Sequence, residues 1–225
     1  MDLLKYDQSY QDLNCWLNVY DIASLEGWLT DNVIQFFGEI IEKNFALKIS
    51  DIHISILHPV ATVFIRSNPQ SVLEHLHLAE KHWIFCPIYN SPKYENQGNH
   101  WSLLVISRDL NLSLYLDSLL PSKANIQNPT FEVKIAQETS DIICGFCKWA
   151  TDFRIIPCLQ QSNAHDCGIY VILYMCWICH FLIEDDLKWI DSGLTARQMR
   201  HDAFRLRSYL RDEINLYLRS RASNP

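Results

Sequence analysis

Apolar residues along the chain fall into short runs with two periods, one helical and one of strands, and these runs predict the elements. Thr30-Asp31-Asn32 offers an N-cap, and Val33, Phe37, Ile40 and Ile41 follow at helical spacing as far as Lys43-Asn44. Ile52–Leu57 reads as a short strand. Pro59–Arg66 and Pro69–Ala79 read as short helices, each with a proline near its start, where a missing N–H costs nothing. Trp83–Tyr89 predicts a strand, and Asn90–Asn99, with Pro92 and Gly98, a loop. Trp101–Ser107 and Leu112–Asp117 are β-rich runs around Arg108-Asp109, which predicts a hairpin. Phe131–Trp149 reads as a helix and Phe153–Cys158 as a strand closed by Pro157. Thr195 and Gln198 have capping-box spacing. Met199, Ala203, Leu206, Leu210, Ile214 and Tyr217 then recur at steps of three and four. They predict an amphipathic helix over 195–221 whose arginines lie mostly on a solvated face. Residues 1–24 show no clear period. No repeat or linker divides the chain. The pattern predicts one domain over 1–225: an N-terminal segment (1–24), a core (25–190) and the last helix. A strand cluster between helical segments makes the class α+β.

One run is different. From Cys167 to Ile183 there are seventeen residues with no formal charge, nearly all apolar. A membrane-spanning helix wants ~20 such residues. This run is shorter and holds Tyr170, Tyr174 and His180. It lies between Asp166 and Glu184-Asp185-Asp186, with no positive flank to orient it. A helix apolar on every face is also what the centre of a globular domain uses, and that is the expectation here.

The composition agrees. Apolar residues make up 48% and charged residues 20%, with seven Trp, ten Tyr and ten Phe, which excludes disordered, collagen-like and low-complexity classes. The net charge is −7 and uneven: residues 191–225 hold seven Arg against four acids, so the rest of the chain is strongly acidic. That argues against nucleic acid as the main partner. The N-terminus has no signal-like pattern, so the eight cysteines are expected as reduced thiols in a cytoplasmic or nuclear setting.

Cys144-Gly-Phe-Cys147 and Cys176-Trp-Ile-Cys179 have the spacing of a zinc site. Both lie in apolar, helix-like stretches, where cysteines three apart share a face and pack as core. Cys176 to His180 also matches a haem-attachment pattern, which requires an exported chain. His75 and His77 lack a third ligand at a fitting spacing. No metal and no cofactor is predicted. A zinc-bearing interaction module is the alternative from another class.

Cys167 follows a polar turn, Gln160 to Asp166, and opens the apolar helix. At a helix N-terminus, unpaired N–H groups and the dipole stabilise a thiolate. Gly168 is expected to leave room for a substrate at the sulfur. Such a nucleophile needs a base oriented by a third group. His100 opens one hairpin strand and Asp117 ends the other. A two-residue loop at Arg108-Asp109 would set them directly opposite, with Cβ atoms ~5 Å apart. Gln161, six residues before Cys167, can donate with the Cys167 N–H to an oxyanion. His165 is a rival base, but two residues before the thiol it requires an awkward turn.

His100-Trp101-Ser102-Leu103-Leu104-Val105, then Leu116-Asp117-Ser118, then Gln160-Gln161-x-Asn163-x-x-Asp166-Cys167-Gly168 together resemble the Ulp/sentrin-specific cysteine peptidase family. These are papain-like proteases that process ubiquitin-like modifiers. Trp28-Leu29-Thr30-Asp31 resembles the family's Trp-Leu-x-Asp motif; Trp16-Leu17-Asn18 lacks both the Asp and the following helix. The runs Trp28–Phe37 and Trp83–Val105 look most like the compact deneddylase branch, which acts on Rub/Nedd. The resemblance implies a papain-like fold, a central mixed sheet flanked by helices. It implies Cys167 as nucleophile, His100 as base and then acid, Asp117 as its orienting partner, and Gln161 in the oxyanion hole. Trp28 and Trp101 would roof a channel for Gly-Gly, and Asp31 would meet the modifier's Arg-bearing tail. The implied partners are a ubiquitin-like modifier and its conjugates, with Rub/Nedd favoured and SUMO or ubiquitin open. Neither a nucleic-acid nor a membrane partner is expected, the chain is expected to act as a monomer, and a pathogen effector would act in the host cell. Two departures stand out: Ala164-His165 replaces the usual pair before Asp-Cys-Gly, and Thr30 replaces a common Asn.

Overall fold

The β-rich runs in the middle of the chain build a five-stranded sheet. Its strands are β1 (Ile54–Ile56), β2 (Trp83–Tyr89), β3 (Trp101–Ser107), β4 (Leu112–Leu116) and β5 (Asp152–Ile155), in sequence order across the sheet. The structure, a computed structural model, describes residues 2–5, 10–91, 98–121, 125–195 and 197–222. β2, β3 and β4 are mutually antiparallel, while β1 and β5 join the two edges in parallel. Parallel neighbours need crossovers. α3 (Pro59–Ile65) and α4 (Pro69–Leu73) lie between β1 and β2, and α5 (Phe131–Cys147) between β4 and β5.

Side chains alternate across the sheet. Phe85, Leu103, Val105 and Leu114 join the core shared with α2 (Asp31–Lys48) and α6 (Cys167–Ile183). Ile84, Cys86, Leu104 and Ile106 join a second cluster with Ile135 and Ile143 of α5. With both faces covered, the central strands read as continuous apolar runs rather than alternating ones. β1 ends opposite Phe85, so at Pro87 β2 has a strand on one side only, where a residue without an N–H is tolerated.

α6 coincides residue for residue with the uncharged run. It packs on α2, β3 and α8 (Arg197–Ala222), which bury every residue from Cys167 to Cys176, while His180 near its end is exposed. Among the described residues no helix is long and apolar enough to cross a membrane. The two CxxC pairs do not meet: Cys144 belongs to the cluster on the α5 face of the sheet, Cys176 and Cys179 to the core on the other. In α8, Met199, Leu206, Leu210, Ile214 and Tyr217 are buried, as their spacing requires. Gln198 of the expected capping box has its side chain outside the described residues, as have residues 92–97 of the Asn90–Asn99 loop.

Several boundaries differ from expectation. α2 continues to Lys48 because Asn44 is an inward residue: its Nδ2 donates to the carbonyls of Leu3 and Lys5 at 2.9 and 2.8 Å. α4 stops at Leu73, and the left-handed His77 (φ 48°) follows before the turn at Leu78–Glu80. α5 ends at Cys147 on a left-handed Lys148 (φ 59°). Strand pairing of β5 starts at Asp152 and ends at Ile155. The N-terminal segment holds a helix that periodicity missed, α1 (Val19–Ser24), fixed by a capping box between Asn18 and Asp21. Short α7 (Trp189–Ser192) precedes α8.

The hairpin register is also a correction. The loop is two residues longer than expected, Arg108 to Asn111, with Asn111 left-handed at φ 53°. Ser107 pairs with Leu112 and Leu103 with Leu116. One step further, Asp117 stands opposite Ser102 and not opposite His100.

Candidate active site

Cys167 is the first residue of α6 and is 1% exposed. The turn before it is made by Asn163, whose Oδ1 accepts from the N–H groups of His165 and Asp166, both at 3.0 Å. Asp166 holds the N-cap position but makes no capping bond. Its carboxylate turns away, accepting from Asn163 Nδ2 at 2.7 Å and from the Arg207 guanidinium. The first-turn N–H groups therefore take no cap from Asp166 and remain at the thiol's end of the helix.

His100 lies just before β3, where its N–H donates to Asn90 Oδ1 at 2.9 Å and its carbonyl accepts from the Asn90 N–H. Its Nε2 is 2.7 Å from Asp117 Oδ1. Asp117 is buried and also accepts from Leu119 N–H (2.8 Å, Oδ1) and Tyr115 Oη (2.9 Å, Oδ2). Burial disfavours a charged ring. The bond to Asp117, the interaction with Cys167 and the negative charge of both outweigh it, and lift the His100 pKa to about 10. The remaining ring nitrogen, Nδ1, is buried without a seated hydrogen bond and is the one left for Cys167. A ring held protonated at neutral pH is the counter-ion a thiolate requires, and it carries the proton a leaving amine will take. Burial pushes the thiols of Cys15, Cys86, Cys147, Cys158, Cys176 and Cys179 upward.

Gln161 is buried. Its Oε1 accepts from Ser118 Oγ at 2.5 Å and its Nε2 donates to the Asn163 carbonyl at 2.6 Å. An amide nitrogen has two hydrogens, so one is left to donate. Trp28 Nε1 donates to the Ala164 carbonyl (2.6 Å) and Trp101 Nε1 to the Leu29 carbonyl (3.1 Å). Trp28, Leu29, Asp31, Tyr89, Trp101 and Cys167 line one cavity of about 580 Å³, and Val60, Val63 and Phe64 of α3 form another part of its wall. A buried thiol, an imidazole backed by a carboxylate and a spare amide donor are the parts of a cysteine acyl-transfer centre.

Comparison with known proteins agrees with this geometry. The profile of the Ulp1 protease family, C-terminal catalytic domain, matches residues 27–221. The chain belongs to the Ulp1 protease family. Sentrin-specific protease 8 of Homo sapiens is 32% identical over 171 residues, 73% of this chain and 76% of that protein. NEDD8-specific protease 1 of Arabidopsis thaliana is 24% identical over 213 residues, 92% and 89% of the two chains. The Ulp1 protease domain solved in complex with Smt3, the yeast ortholog of SUMO, superposes with a TM-score of 0.63 at 21% identity, covering 96% of this chain and 87% of that one. This last likeness is one of fold.

Within this Ulp1-family domain the structure brings Cys167, His100 and Asp117 together, Gln161 is bonded to Ser118 beside Asp117 and to Asn163 in the turn before Cys167, and Trp28, Asp31 and Trp101 border the same cavity as Cys167. His165 is half-exposed and points to Asp166 at 3.8 Å. The expected contact between His100 and Asp117 is present although its register is not. A two-residue shift keeps every side chain on its face, and a diagonal pair lies within reach of a long side chain. Gly168 has a different role from the one expected. A Cβ there would stand 3.0 Å from Leu29 Cβ, so the missing side chain lets α6 pack against the Trp28-Leu29 segment. Sequence reasoning assigned no role to Ser118 and Asn163, although both lie inside the quoted motifs. The helical pattern sets the arginines of α8 mostly on a solvated face and does not single out Arg207.

Proposed function

We propose that this Ulp1-family ubiquitin-like protease is a deneddylase, cutting after the C-terminal Gly-Gly of a Rub/Nedd-type modifier. One observation carries the reading: Cys167 is only 1% exposed, yet it borders a cavity flanked by Trp28 and Trp101. A scissile bond preceded by residues without side chains fits such a sulfur. Asp31 on the same wall offers a carboxylate to an Arg-bearing tail. Relatives named for NEDD8 support this modifier over others.

In this mechanism the Cys167 thiolate attacks the terminal Gly carbonyl. The Gln161 amide and the Cys167 N–H receive the oxyanion. His100 gives its proton to the departing amine, leaving a thioester. The ring then takes a proton from water, the hydroxide attacks the thioester, and the thiolate is released. Asp117 holds the ring in place throughout and stabilises its charge whenever it is protonated. The test uses Rub/Nedd, SUMO and ubiquitin bearing an electrophilic C-terminus. The fastest covalent adduct is expected with Rub/Nedd, and none with Cys167→Ala. An adduct with SUMO alone would refute the modifier assignment, and labelling that survives Cys167→Ala would refute the nucleophile.

A further inference from the structure

The C-terminal helix reaches the candidate active site through one side chain. Arg207 Nη1 donates to the carbonyls of Leu25 and Gly27 at 2.6 and 2.9 Å, and Nη2 bonds the Asp166 carboxylate. These partners lie 182, 180 and 41 residues away in the chain. They belong to the two segments that make the site: the loop that carries Trp28 and the turn that delivers Cys167. Trp28 in turn bonds Ala164, and Asn163 joins Asp166 to Gln161. One guanidinium thus ties the tryptophan at the cavity, the oxyanion donor and the nucleophile's helix terminus into a single network. Arg211 adds a neighbouring bond to Glu26.

Asp166 makes this more than a tether. Asp166 is the N-cap of the helix that Cys167 opens, and an uncompensated carboxylate at that terminus would oppose thiolate formation. Arg207 sits on that carboxylate, and both side chains are about three-quarters shielded from water. Burial disfavours the Asp166 charge, but the bonds from Arg207 and Asn163 prevail and hold its carboxyl below the usual range. The other titratable groups around the thiol are His100 with Asp117 behind it, Asp31 and Tyr89 on the cavity wall, and half-exposed His165.

The geometry points to Arg207 as a positioning residue of the peptidase centre. It neutralises Asp166 at the terminus of the nucleophile's helix and fixes the Trp28 segment that lines the same cavity. The inference rests on Cys167 being the nucleophile.

The test follows the rate of iodoacetamide alkylation of Cys167 against pH, read from the mass of the peptide that contains it, in the full chain. Arg207→Gln is expected to raise the midpoint of that profile by about 0.5–1 unit and to lower kcat/KM by about 10–100-fold. Arg207→Lys keeps the charge without the fork, and should hold the midpoint while losing part of kcat/KM. Adding Asp166→Asn to Arg207→Gln should return the midpoint towards its original value. A lower melting temperature with an unmoved midpoint would make Arg207 a tether only and overturn the inference. If Arg207→Gln fails to fold, Asp166→Asn alone decides: it should lower the midpoint, and an unchanged midpoint overturns the inference. Turnover that survives Cys167→Ala would instead refute the nucleophile, whatever Arg207 does.

Discussion

Asp117→Asn isolates one charge at the centre of the site. Asp117 Oδ1 accepts from His100 Nε2 and from the Leu119 N–H, and an Asn oxygen keeps both. Oδ2 accepts from the Tyr115 hydroxyl, which can rotate to accept from an Asn Nδ2. The fold should therefore survive and the charge alone be lost. With Asp117 in place the His100 pKa is lifted to about 10. An opposite charge at this range shifts a pKa by about 1–3 units, so the ring of the variant should titrate between roughly 7 and 9. At about 1.4 kcal/mol per unit, the imidazolium loses roughly 1.4–4 kcal/mol of support. The assay is kcat/KM against pH on a modifier with a fluorogenic leaving group. In the proposed mechanism protonated His100 is the active form, so the native chain should keep its activity up to an alkaline limb near pH 10. The variant's limb should move down by at least one unit. The stability effect has the same sign. A pKa raised on folding stabilises the chain fully below about pH 6.5, and that stability is lost as pH rises through about 10. The stability gap between the two chains should thus close on going from pH 7 to above 10, as read by urea unfolding. An alkaline limb unmoved in the variant would refute the claim that Asp117 holds the proton on His100.

Gln161→Ala should lower kcat by about 10²–10³ with little change in KM, as expected for an oxyanion donor. Ser118→Ala, which frees the Gln161 amide oxygen without removing the donor, should cost about 2–10-fold, and an effect equal to that of Gln161→Ala would contradict this division of labour. Gly168→Ala places a Cβ 3.0 Å from Leu29 Cβ, so urea unfolding should show a loss of about 1–3 kcal/mol and kcat/KM should fall with it. Leu210→Ala, at a fully buried position of α8, should destabilise by about 2–5 kcal/mol while the pH profile stays unchanged.

The elements legible in the sequence were those whose burial repeats along the chain. β2, β3 and α6 begin and end where their apolar runs do, because both sheet faces and most of α6 are covered. α1 left no such trace. It is six residues long, Val19 and Tyr20 on it are exposed, and its signal is the polar pair Asn18 and Asp21. The proposed catalytic set is legible through local features: a thiol opening an apolar run, a histidine opening a strand, an aspartate closing the next. The partnership of His100 with Asp117 was reached through a register two residues off, which left both residues on one face. Arg207 was illegible for the opposite reason. Its partners lie far away in the chain, so no spacing records them, and on a helical wheel it is one more polar residue off the apolar stripe.

The burial of α6 has a consequence for motion. A helix packed on α2, β3 and α8 cannot fray without opening the core, so its first turn shares the free energy of global unfolding. The segment that borders the thiol on the other side is of another kind. Trp28 is half-exposed and held by a few polar bonds to Ala164 and, through its neighbours, to Arg207. Opening the Trp28 wall breaks only those polar bonds, whereas opening the wall at Cys167 means opening the core, so the two walls of one cavity differ in the free energy that holds them shut.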